Sequence, residues 1–306
     1  MRLVFFGSSE FAIPTLKALK EHFLLVVSQP DRPSGRGGSL LPTPVKKAAL
    51  ELGLPVETPE KCRDEEFIAR IRSLNPDALL VVAYGQIMPV KLLESAKRGG
   101  INIHASLLPK YRGAAPIAWA ILNGETETGI TIMQMDAGMD TGDIIAQEKT
   151  EIFPDETAGE LAKRLSELGA KMALEWMPRI VSGDYPRTPQ DEGKASLAPK
   201  LTSKDGELHF EMDAEDAYRR FRAVTPNPGA YLETRFGRMK ILEAKRSELR
   251  AEKAGIVLAI EGESVVVSFL SNSLRLQRVQ IAGRKPMTGK DFVNGYRLRI
   301  GDFISK

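Results

Sequence analysis

Short apolar runs separated by longer amphipathic stretches dominate the first half of the chain. The runs are rich in Val, Leu, Ile and Phe and end at glycine or polar residues, a pattern typical of buried strands. Apolar strands that alternate with helices predict an α/β fold with an open, Rossmann-like parallel sheet covered on both faces. The predicted strands are 2–6, 24–28, 78–83 and 100–104, and the predicted helices between them are about 43–53 and 63–74.

A long helix is predicted to follow the capping sequence Thr157-Ala158-Gly159-Glu160. Threonine followed three residues later by glutamate is the spacing of a capping box, which satisfies free backbone N–H groups at a helix start. Apolar residues then recur at helical spacing on one stripe, and core packing alone explains that stripe. Its members are Leu161, Leu165, Leu168, Met172 and Trp176.

The texture of the sequence changes after Gly183. As far as Gly206, proline, glycine, lysine and aspartate dominate and no periodicity holds, which predicts a linker. We therefore expect a catalytic domain at 1–183, a linker at 184–206 and a second domain at 207–306. One helix near 213–223 is followed by short β-type runs with polar turns, which predict a small OB-like β-barrel. These runs are 230–234, 239–242, 255–260, 264–268 and 274–279.

Composition narrows the class of protein. A chain of 306 residues with 42% hydrophobic and 27% charged residues is typical of a soluble globular protein of one or two domains. The first residues have too short an apolar run for a signal peptide, and no run approaches the roughly 20 residues that span a bilayer. The single cysteine, Cys62, excludes an internal disulfide, and no Cys and His cluster resembles a metal site. We expect a cytoplasmic protein without a metal or a membrane partner.

Charge is distributed unevenly along the chain. From Glu207 to the end there are 18 Lys and Arg against 13 Asp and Glu, whereas the preceding residues carry 25 against 27. A modestly basic C-terminal third is compatible with a nucleic-acid backbone, although many solvated surfaces have the same balance.

The candidate chemistry lies at the end of the predicted strand 100–104. Asn102 and His104 are two residues apart, so their side chains point to the same face of an extended segment. A neutral amide and a titratable imidazole on one face suit the stabilisation of a developing oxyanion and proton transfer near neutral pH. A second polar cluster at 135–143 contains Asp136, Asp140 and Asp143, and one of these carboxylates is expected to orient the imidazole.

The residues Asn102-Ile103-His104-Ala105-Ser106-Leu107-Leu108-Pro109-Lys110-Tyr111-Arg112-Gly113, followed by Asp140-Thr141-Gly142-Asp143, resemble the 10-formyltetrahydrofolate-dependent formyltransferase family. The resemblance covers nearly the whole chain. The phrases at 112–117 and 131–136 narrow it to members that formylate methionyl initiator tRNA. It implies that Asn102 and His104 stabilise the oxyanion, and that Asp140 orients His104, favours its charged form and assists proton transfer.

The resemblance also implies a binding site for the co-substrate, 10-formyltetrahydrofolate. The loop after the strand 78–83 corresponds to the family's pterin-binding loop, and the turn after His104 is expected to shape the same pocket. The implied folate-binding residues are Tyr84, Gly85, Gln86, Ile87, Met88, Ser106, Leu107, Leu108, Pro109 and Asp136. From the residues alone, Asp136 and Asp143 are expected to be turn-formers or loop anchors, because aspartate readily bonds its own backbone.

A basic, glycine-rich segment at 29–40 corresponds to a loop that contacts the tRNA acceptor end in these relatives. It lacks the Gly-Lys-Ser/Thr of a phosphate-binding P-loop. The implied tRNA contacts are Arg32, Arg36 and Gly37, and an ordinary surface loop is the alternative. Further phosphate contacts are predicted from basic residues of the C-terminal domain, namely Arg219, Arg220, Arg222, Arg284 and Lys285.

Two rival functions remain at this stage. The first is another formyltransferase. One that acts on glycinamide ribonucleotide resembles the first domain alone, so the C-terminal extension argues against it. One that acts on a nucleotide amino-sugar also carries a second domain, and the loop with Arg36 and the basic C-terminal third argue against it. A non-enzymatic RNA-binding protein on a retired catalytic scaffold is the other rival, and the intact set of Asn102, His104 and Asp140 argues against it. The resemblance implies a monomer.

Overall fold

A computed structural model describes residues 1–34 and 39–306. The chain divides into two compact units, each assembled from three stretches of sequence. The first unit comprises Met1–Pro116, Glu127–Glu151 and Ala162–Pro199, and the second comprises Ile117–Thr126, Ile152–Leu161 and Lys200–Lys306.

Nine strands and four helices lie wholly within the first unit as described. The strands are β1 (Leu3–Gly7), β2 (Phe23–Val27), β3 (Arg32–Ser34), β4 (Ser39–Leu41), β5 (Val56–Glu57), β6 (Ala78–Val82), β7 (Gly100–His104), β8 (Glu127–Gln134) and β9 (Ile144–Glu151). The helices are α1 (Ile13–Ala18), α2 (Pro44–Glu51), α3 (Glu65–Ser73) and α4 (Val90–Leu93). Two further helices contribute residues to both units: α5 (Pro116–Leu122) and α6 (Ala158–Ser182).

The sheet of the first unit has the strand order β5-β2-β1-β6-β7-β8-β9. The strands from β5 to β7 are parallel, and β1 and β6 are buried along their whole length, as predicted for strands covered on both faces. The sheet differs from the prediction at one edge, where β8 and β9 run antiparallel. Buried and partly exposed positions alternate along β9, so this edge strand lacks the continuous apolar run that revealed the central strands.

The segment 184–206, predicted as a linker, is packed against the first unit over most of its length. Its residues as far as Pro199 belong to the first unit, where they form backbone hydrogen bonds with residues 109–115. A lack of periodicity therefore does not mean a lack of fixed contacts here, because hydrogen bonds to a neighbouring loop hold the segment. The other domain boundaries remain predictions.

The second unit is β-rich, as the sequence predicts. Its elements are β10 (Glu207–Leu208), α7 (Ala214–Val224), β11 (Ala230–Thr234), β12 (Gly237–Ser247), β13 (Val257–Glu261), β14 (Ser264–Ser268), β15 (Ser273–Ile281), β16 (Met287–Thr288) and α8 (Gly289–Gly295). The strand order is β10-β11-β12-β15-β14-β13, with β16 on β15, and the pairings are antiparallel except between β10 and β11. Register shifts between β12 and β15 mark bulges, which increase strand twist and help a sheet curl around one core.

Candidate active site

Strand β7 carries the two side chains that the sequence singles out. Asp140, from the loop between β8 and β9, contacts both of them. The Asn102 amide Nδ2 lies 3.4 Å from Asp140 Oδ1, and His104 Nδ1 lies 3.6 Å from Asp140 Oδ2. The fold thus brings the three predicted catalytic residues together, although Asp140 is 38 residues from Asn102 along the chain.

The carboxylate of Asp140 is held by the loop that follows β7. Its Oδ2 accepts a hydrogen bond of 2.8 Å from the backbone N–H of Gly113. Asp140 itself has φ of 55°, in the left-handed region that residues other than glycine seldom adopt. A residue keeps such a conformation only where its surroundings impose it. The contacts between this loop and Asp140 therefore help to fix the geometry of the site.

The imidazole of His104 is almost completely buried, with 6% of its surface exposed. Its Nε2 lies 2.9 Å from the carbonyl oxygen of Tyr111. Because a carbonyl only accepts hydrogen bonds, this contact requires the proton on Nε2. The other ring nitrogen, Nδ1, faces the Asp140 carboxylate at 3.6 Å.

The turn after β7 is fastened to β8. Ser106 Oγ donates to the Lys110 carbonyl at 2.6 Å, and Thr131 Oγ donates to the Ser106 carbonyl at 2.6 Å. The backbone N–H of Leu108 in turn donates to Thr131 Oγ at 3.1 Å, and the Leu108–Pro109 peptide is cis. These bonds hold residues 106–109, the turn predicted to shape the folate pocket, in one conformation beside His104.

The predicted pterin-binding loop, 84–88, has a buried underside and one fully exposed side chain. Tyr84 and Met88 are buried in the core, and Tyr84 packs edge-on against Phe6. Burial raises the pKa of the Tyr84 hydroxyl above its ordinary value. Ile87, by contrast, is 92% exposed. Of these two predicted folate-binding residues, Ile87 is therefore accessible to a ligand, whereas the Met88 side chain is buried.

Gln86 ties this loop to the segment around Cys62. The Gln86 side-chain oxygen accepts from the Cys62 N–H at 2.8 Å, and its nitrogen lies 3.3 Å from the carbonyls of Pro59 and Glu60. Gly85 has φ of 90°, which glycine adopts without strain. Side-chain bonds of Gln86 therefore fix the loop, and its backbone groups remain the part suited to contact a ligand.

The other two aspartates of the 135–143 loop are engaged elsewhere. The Asp136 carboxylate accepts from the Gly138 N–H at 3.0 Å and from Thr141 Oγ at 2.8 Å, which is the turn-forming role weighed in the sequence. Asp143 accepts from Arg187 Nε at 3.0 Å. Both side chains therefore stabilise the loop that presents Asp140.

One cluster beside the site was not predicted as functional. Arg112, with 6% of its side chain exposed, forms paired hydrogen bonds of 2.7 and 2.9 Å with Glu192. Its Nε and Nη2 also donate to the Gln190 side-chain oxygen at 3.0 and 2.8 Å. The Arg112 bonds hold the pKa of Glu192 below its ordinary value. The position of Arg112 inside the motif at 102–113 could have indicated a role for it, but the sequence did not indicate its partners.

The predicted tRNA contacts are only partly described. Arg32 begins β3, has 67% of its side chain exposed and lies 3.7 Å from Glu60, whereas Arg36 and Gly37 lie outside the described residues. In the second unit, Arg284 and Lys285 are exposed. Arg222 is buried, with Nη1 3.3 Å from the Glu156 carbonyl and 3.4 Å from the Phe153 carbonyl, so its prediction as a phosphate contact was wrong. Helical periodicity turns Arg222 inward on α7, which composition alone does not reveal.

Family comparison decides the class of this protein. Residues 1–177 match the family model described as formyl transferase, and residues 200–297 match the one described as formyl transferase, C-terminal domain. The chain belongs to the formyl transferase family. The family membership predicted from the motif at 102–113 is thereby confirmed, and the protein is an enzyme that transfers a formyl group.

Curated relatives of this formyl transferase match it from end to end. It is 45% identical over 304 residues to the methionyl-tRNA formyltransferase of Geobacter metallireducens, covering 98% of this chain and 97% of that protein. It is 45% identical over 312 residues to the methionyl-tRNA formyltransferase of Sorangium cellulosum, covering 100% of both.

Solved structures share the fold at lower identity. HypX from Aquifex aeolicus matches with a TM-score of 0.69 at 18% identity, over 99% of this chain and 48% of that chain. The N-formyltransferase from Helicobacter canadensis, in complex with folinic acid and dTDP-3-aminofucose, matches with a TM-score of 0.68 at 20% identity, over 90% and 98%. At these identities the likeness establishes the fold, and it confirms the predicted fold class.

The formyl donor of the family is 10-formyltetrahydrofolate, which confirms the predicted co-substrate. Within residues 1–34 and 39–306, no group of three or more His, Cys, Asp or Glu side chains could hold a metal ion. Among the helices that the structure describes, none is both long and apolar enough to cross a membrane.

Proposed function

We propose that this formyl transferase moves the formyl group of 10-formyltetrahydrofolate to the α-amino group of methionyl initiator tRNA, for use in translation initiation. The observation that carries the proposal is the end-to-end similarity, at 42–45% identity, to proteins named methionyl-tRNA formyltransferase. Both units of the chain take part in that similarity, so it includes the C-terminal unit as well as the unit that contains Asp140.

Asn102 and His104 are proposed to stabilise the negative charge that develops on the formyl oxygen when the amine attacks. Asn102 donates through its amide N–H groups, and His104 donates through the N–H that Nδ1 carries when the ring is protonated, because Nε2–H is engaged with the Tyr111 carbonyl. The Asn102 contact with Asp140 is long, at 3.4 Å, so its amide N–H groups lose little when they turn to an oxyanion. A donor directed at developing charge in a water-poor site is among the larger contributions to catalysis. The two side chains share one face of β7, which lets them act on one oxygen.

Asp140 and His104 are proposed to move the proton that the attacking amine loses. The tetrahedral intermediate collapses with cleavage of the bond between the formyl carbon and the folate nitrogen, and this leaving nitrogen takes up the proton. His104 Nδ1 faces the Asp140 carboxylate at 3.6 Å, while Nε2 is engaged with the Tyr111 carbonyl. A proton therefore enters or leaves the ring on the Asp140 side, directly or through a water molecule. The Gly113 N–H bond to Asp140 Oδ2 keeps the carboxylate on that side.

The 84–88 loop and the 106–109 turn are proposed to bind the folate co-substrate. Ile87 offers an apolar surface at 92% exposure, which suits the face of an aromatic pterin. Backbone N–H and carbonyl groups next to it suit the pterin's hydrogen-bonding edge. Asp136, whose carboxylate is taken up by Gly138 and Thr141, is proposed to act by supporting the pocket wall.

The tRNA acceptor end is proposed to contact Arg32, Arg36 and Gly37 in the segment that contains β3 and β4, with phosphate contacts from exposed basic residues of the C-terminal unit. Lys and Arg contacts to phosphates make nucleic-acid binding fall as salt rises. We further propose that the enzyme is cytoplasmic and monomeric, as the sequence and its family resemblance led us to expect.

A formylation assay tests the substrate. Wild-type protein is incubated with 10-formyltetrahydrofolate and, separately, methionylated initiator tRNA, free methionine and a nucleotide amino-sugar. We expect rapid transfer only to the charged tRNA. Transfer to the amino-sugar with none to tRNA would overturn the substrate and favour the activity of the sugar N-formyltransferases that share the fold.

Replacement of the histidine tests the mechanism. We expect His104→Ala to lower turnover by about 100-fold or more, since it removes both a donor and the proton carrier, while tRNA binding persists. Turnover near the wild-type rate in this variant would show that His104 has no catalytic role.

A further inference from the structure

Residues 190–198, here called the strap, lie along the loop that follows β7. The two segments are joined by backbone hydrogen bonds of 2.8 Å from the Arg112 N–H to the Ser196 carbonyl and 2.7 Å from the Ala198 N–H to the Arg112 carbonyl. Ser196 Oγ also accepts from the Tyr111 N–H at 2.9 Å. Since the Tyr111 carbonyl orients His104, the strap supports the backbone on which the candidate catalytic histidine depends.

Gln190 connects the strap to the other half of the site. Its Nε2 donates to the Asp140 carbonyl at 2.9 Å and to the Gly142 carbonyl at 2.7 Å. Its oxygen accepts twice from Arg112, at 3.0 and 2.8 Å. Two donated and two accepted bonds use the full hydrogen-bonding capacity of an amide side chain, so the orientation of Gln190 is fixed.

Arg112 holds Gln190 in place in turn. Its buried guanidinium is shared between Gln190 and the paired bonds to Glu192, which also belongs to the strap. A planar guanidinium with two partners of this geometry has little freedom to rotate. The order of dependence therefore runs from Glu192 to Arg112, from Arg112 to Gln190, and from Gln190 to the backbone of Asp140.

We propose that Gln190 is a positioning residue for the formyl-transfer reaction, acting through Asp140. Asp140 has an unfavourable backbone φ of 55°, and Gln190 donates to the carbonyl of that same residue. Without this bond the loop relaxes, and the carboxylate moves away from His104. The inference rests on the proposed function, because it assigns Gln190 a role only if Asp140 has one.

We expect Gln190→Ala to lower kcat by about 10- to 100-fold, the loss that follows from a misplacement of about 1 Å at a reacting centre. The KM values for 10-formyltetrahydrofolate and methionyl initiator tRNA should stay within about twofold of wild type, because the residue acts on the chemical step.

Two further variants separate positioning from simple loss of folding. Gln190→Glu keeps an oxygen for Arg112 but replaces the nitrogen that donates to the Asp140 and Gly142 carbonyls with an oxygen that repels them, so kcat should fall although the bonds from Arg112 remain. Gln134→Ala is the matched control, since Gln134 Nε2 also donates to two carbonyls, those of Arg98 and Gly100, at 3.0 Å. Gln134→Ala should lower Tm by about as much as Gln190→Ala does and should leave kcat near the wild-type value.

The deciding experiment is a double-mutant cycle with Asp140→Asn, measured by single-turnover formylation with labelled donor. If Gln190 acts through Asp140, Gln190→Ala should reduce the rate in the wild-type background and have no further effect in the Asp140→Asn background. An equal reduction in both backgrounds, or no reduction in either, would overturn the positioning role.

The proposed function can fail separately from this inference. A near-wild-type rate for Asp140→Asn would remove the catalytic role of Asp140, and with it the role of Gln190. If wild-type protein formylates an amino-sugar and leaves tRNA unmodified, the substrate is wrong, and the same cycle with that acceptor still supports or overturns the role of Gln190.

Discussion

At the scale of single residues, the site depends on groups whose surroundings set them apart from their neighbours in sequence. Three aspartates occupy one short loop, yet Asp136 and Asp143 bond to Thr141 and Arg187. Among the residues that the structure describes, Asp140 is the one of the three that contacts side chains of β7. The chemical type of the residue is the same in each case. What differs is the set of atoms within hydrogen-bonding distance, and this decides which carboxylate is available for catalysis.

Replacement of two of these aspartates by asparagine should separate their roles. We expect Asp140→Asn to lower kcat by about 100-fold or more, because it removes the charge that faces His104 Nδ1 at 3.6 Å. Asp143→Asn, which weakens only the contact with Arg187, should stay within a fewfold of wild type. Steady-state formylation kinetics measure both, and similar losses in the two variants would contradict the assignment of Asp140.

Gly113 is constrained by both its backbone and its neighbour. It has φ of 122°, and an added Cβ would lie 2.8 Å from the Ala198 carbonyl oxygen in the strap. We expect Gly113→Ala to destabilise the protein by about 2–3 kcal/mol, from backbone strain and displacement of the strap. Activity should fall as well, because the Gly113 N–H is the donor to Asp140 Oδ2.

Gly53 provides the matched control for that measurement. It has φ of 71°, but nothing lies within 4 Å of an added Cβ. Gly53→Ala should therefore cost only the strain of a left-handed alanine, about 1–2 kcal/mol, with normal activity. Chemical denaturation compares the two variants, and equal losses of stability and activity would show that the approach of Ala198 is unimportant.

At the scale of elements, the 84–88 loop is a rigid connection fixed by a neighbouring segment. Gln86 bonds to the Cys62 N–H, and the Cys62 thiol lies 3.3 Å from the Ile87 carbonyl. Two contacts between one cysteine and one loop hold the backbone around Ile87 before any ligand binds. A preformed loop pays less entropy on binding than one that must be ordered, which suits a site for a flat aromatic ligand.

The cysteine reports on this loop directly. Cys62 is 1% exposed, and burial, the largest cause, raises the pKa of its thiol. We expect Ellman's reagent to react slowly with native protein at pH 8 and rapidly in denaturant, because both the thiolate fraction and access are low. Labelling at the same rate in both conditions would show that the segment opens freely.

The raised pKa of the Cys62 thiol also determines how its contribution to stability changes with pH. A thiol that is more easily kept neutral in the folded state than in the unfolded state stabilises the fold only while it is protonated. This contribution is present in full below the unfolded pKa and is lost as pH rises through the folded value. Cys62→Ser removes the titration, so the wild-type protein should lose stability relative to this variant as pH rises above about 9.

At the scale of the whole molecule, the distribution of charge says more about tRNA binding than the small net charge does. The +3 total conceals an excess of basic residues after Glu207. Counting charges does not distinguish residues that meet solvent from residues that the fold uses internally. Arg222 and Arg284 illustrate the difference, because the first is buried against backbone carbonyls and the second is exposed.

These two arginines should therefore have opposite phenotypes. Arg222→Ala removes donors to the Phe153 and Glu156 carbonyls and should lower stability by about 1–3 kcal/mol, with an unchanged salt dependence of tRNA binding. Arg284→Ala should leave Tm unchanged, weaken binding and reduce the slope of log K against log salt by about 1. Thermal denaturation and filter binding at several salt concentrations measure the pair, and a reduced salt slope in Arg222→Ala would contradict its buried role.

The sequence by itself determined the parts of this protein that depend on local pattern. The central strands β1, β2 and β6 are continuous apolar runs because both of their faces are covered, and such runs are visible without a structure. The shared face of Asn102 and His104 follows from the alternation of side chains along a strand. The formyl transferase family followed from the motif that contains them.

Only the tertiary structure decided which distant residues meet. The antiparallel strands β8 and β9, the inward orientation of Arg222, the bonding partners of the three loop aspartates and the bonds of Gln190 were beyond pattern analysis. Gln190 and Arg112 are 78 residues apart, in a segment without periodicity that resembled a linker. Contacts of this kind depend on how the tertiary fold brings distant segments of the chain together, and the spacing of residues within one segment does not reveal them.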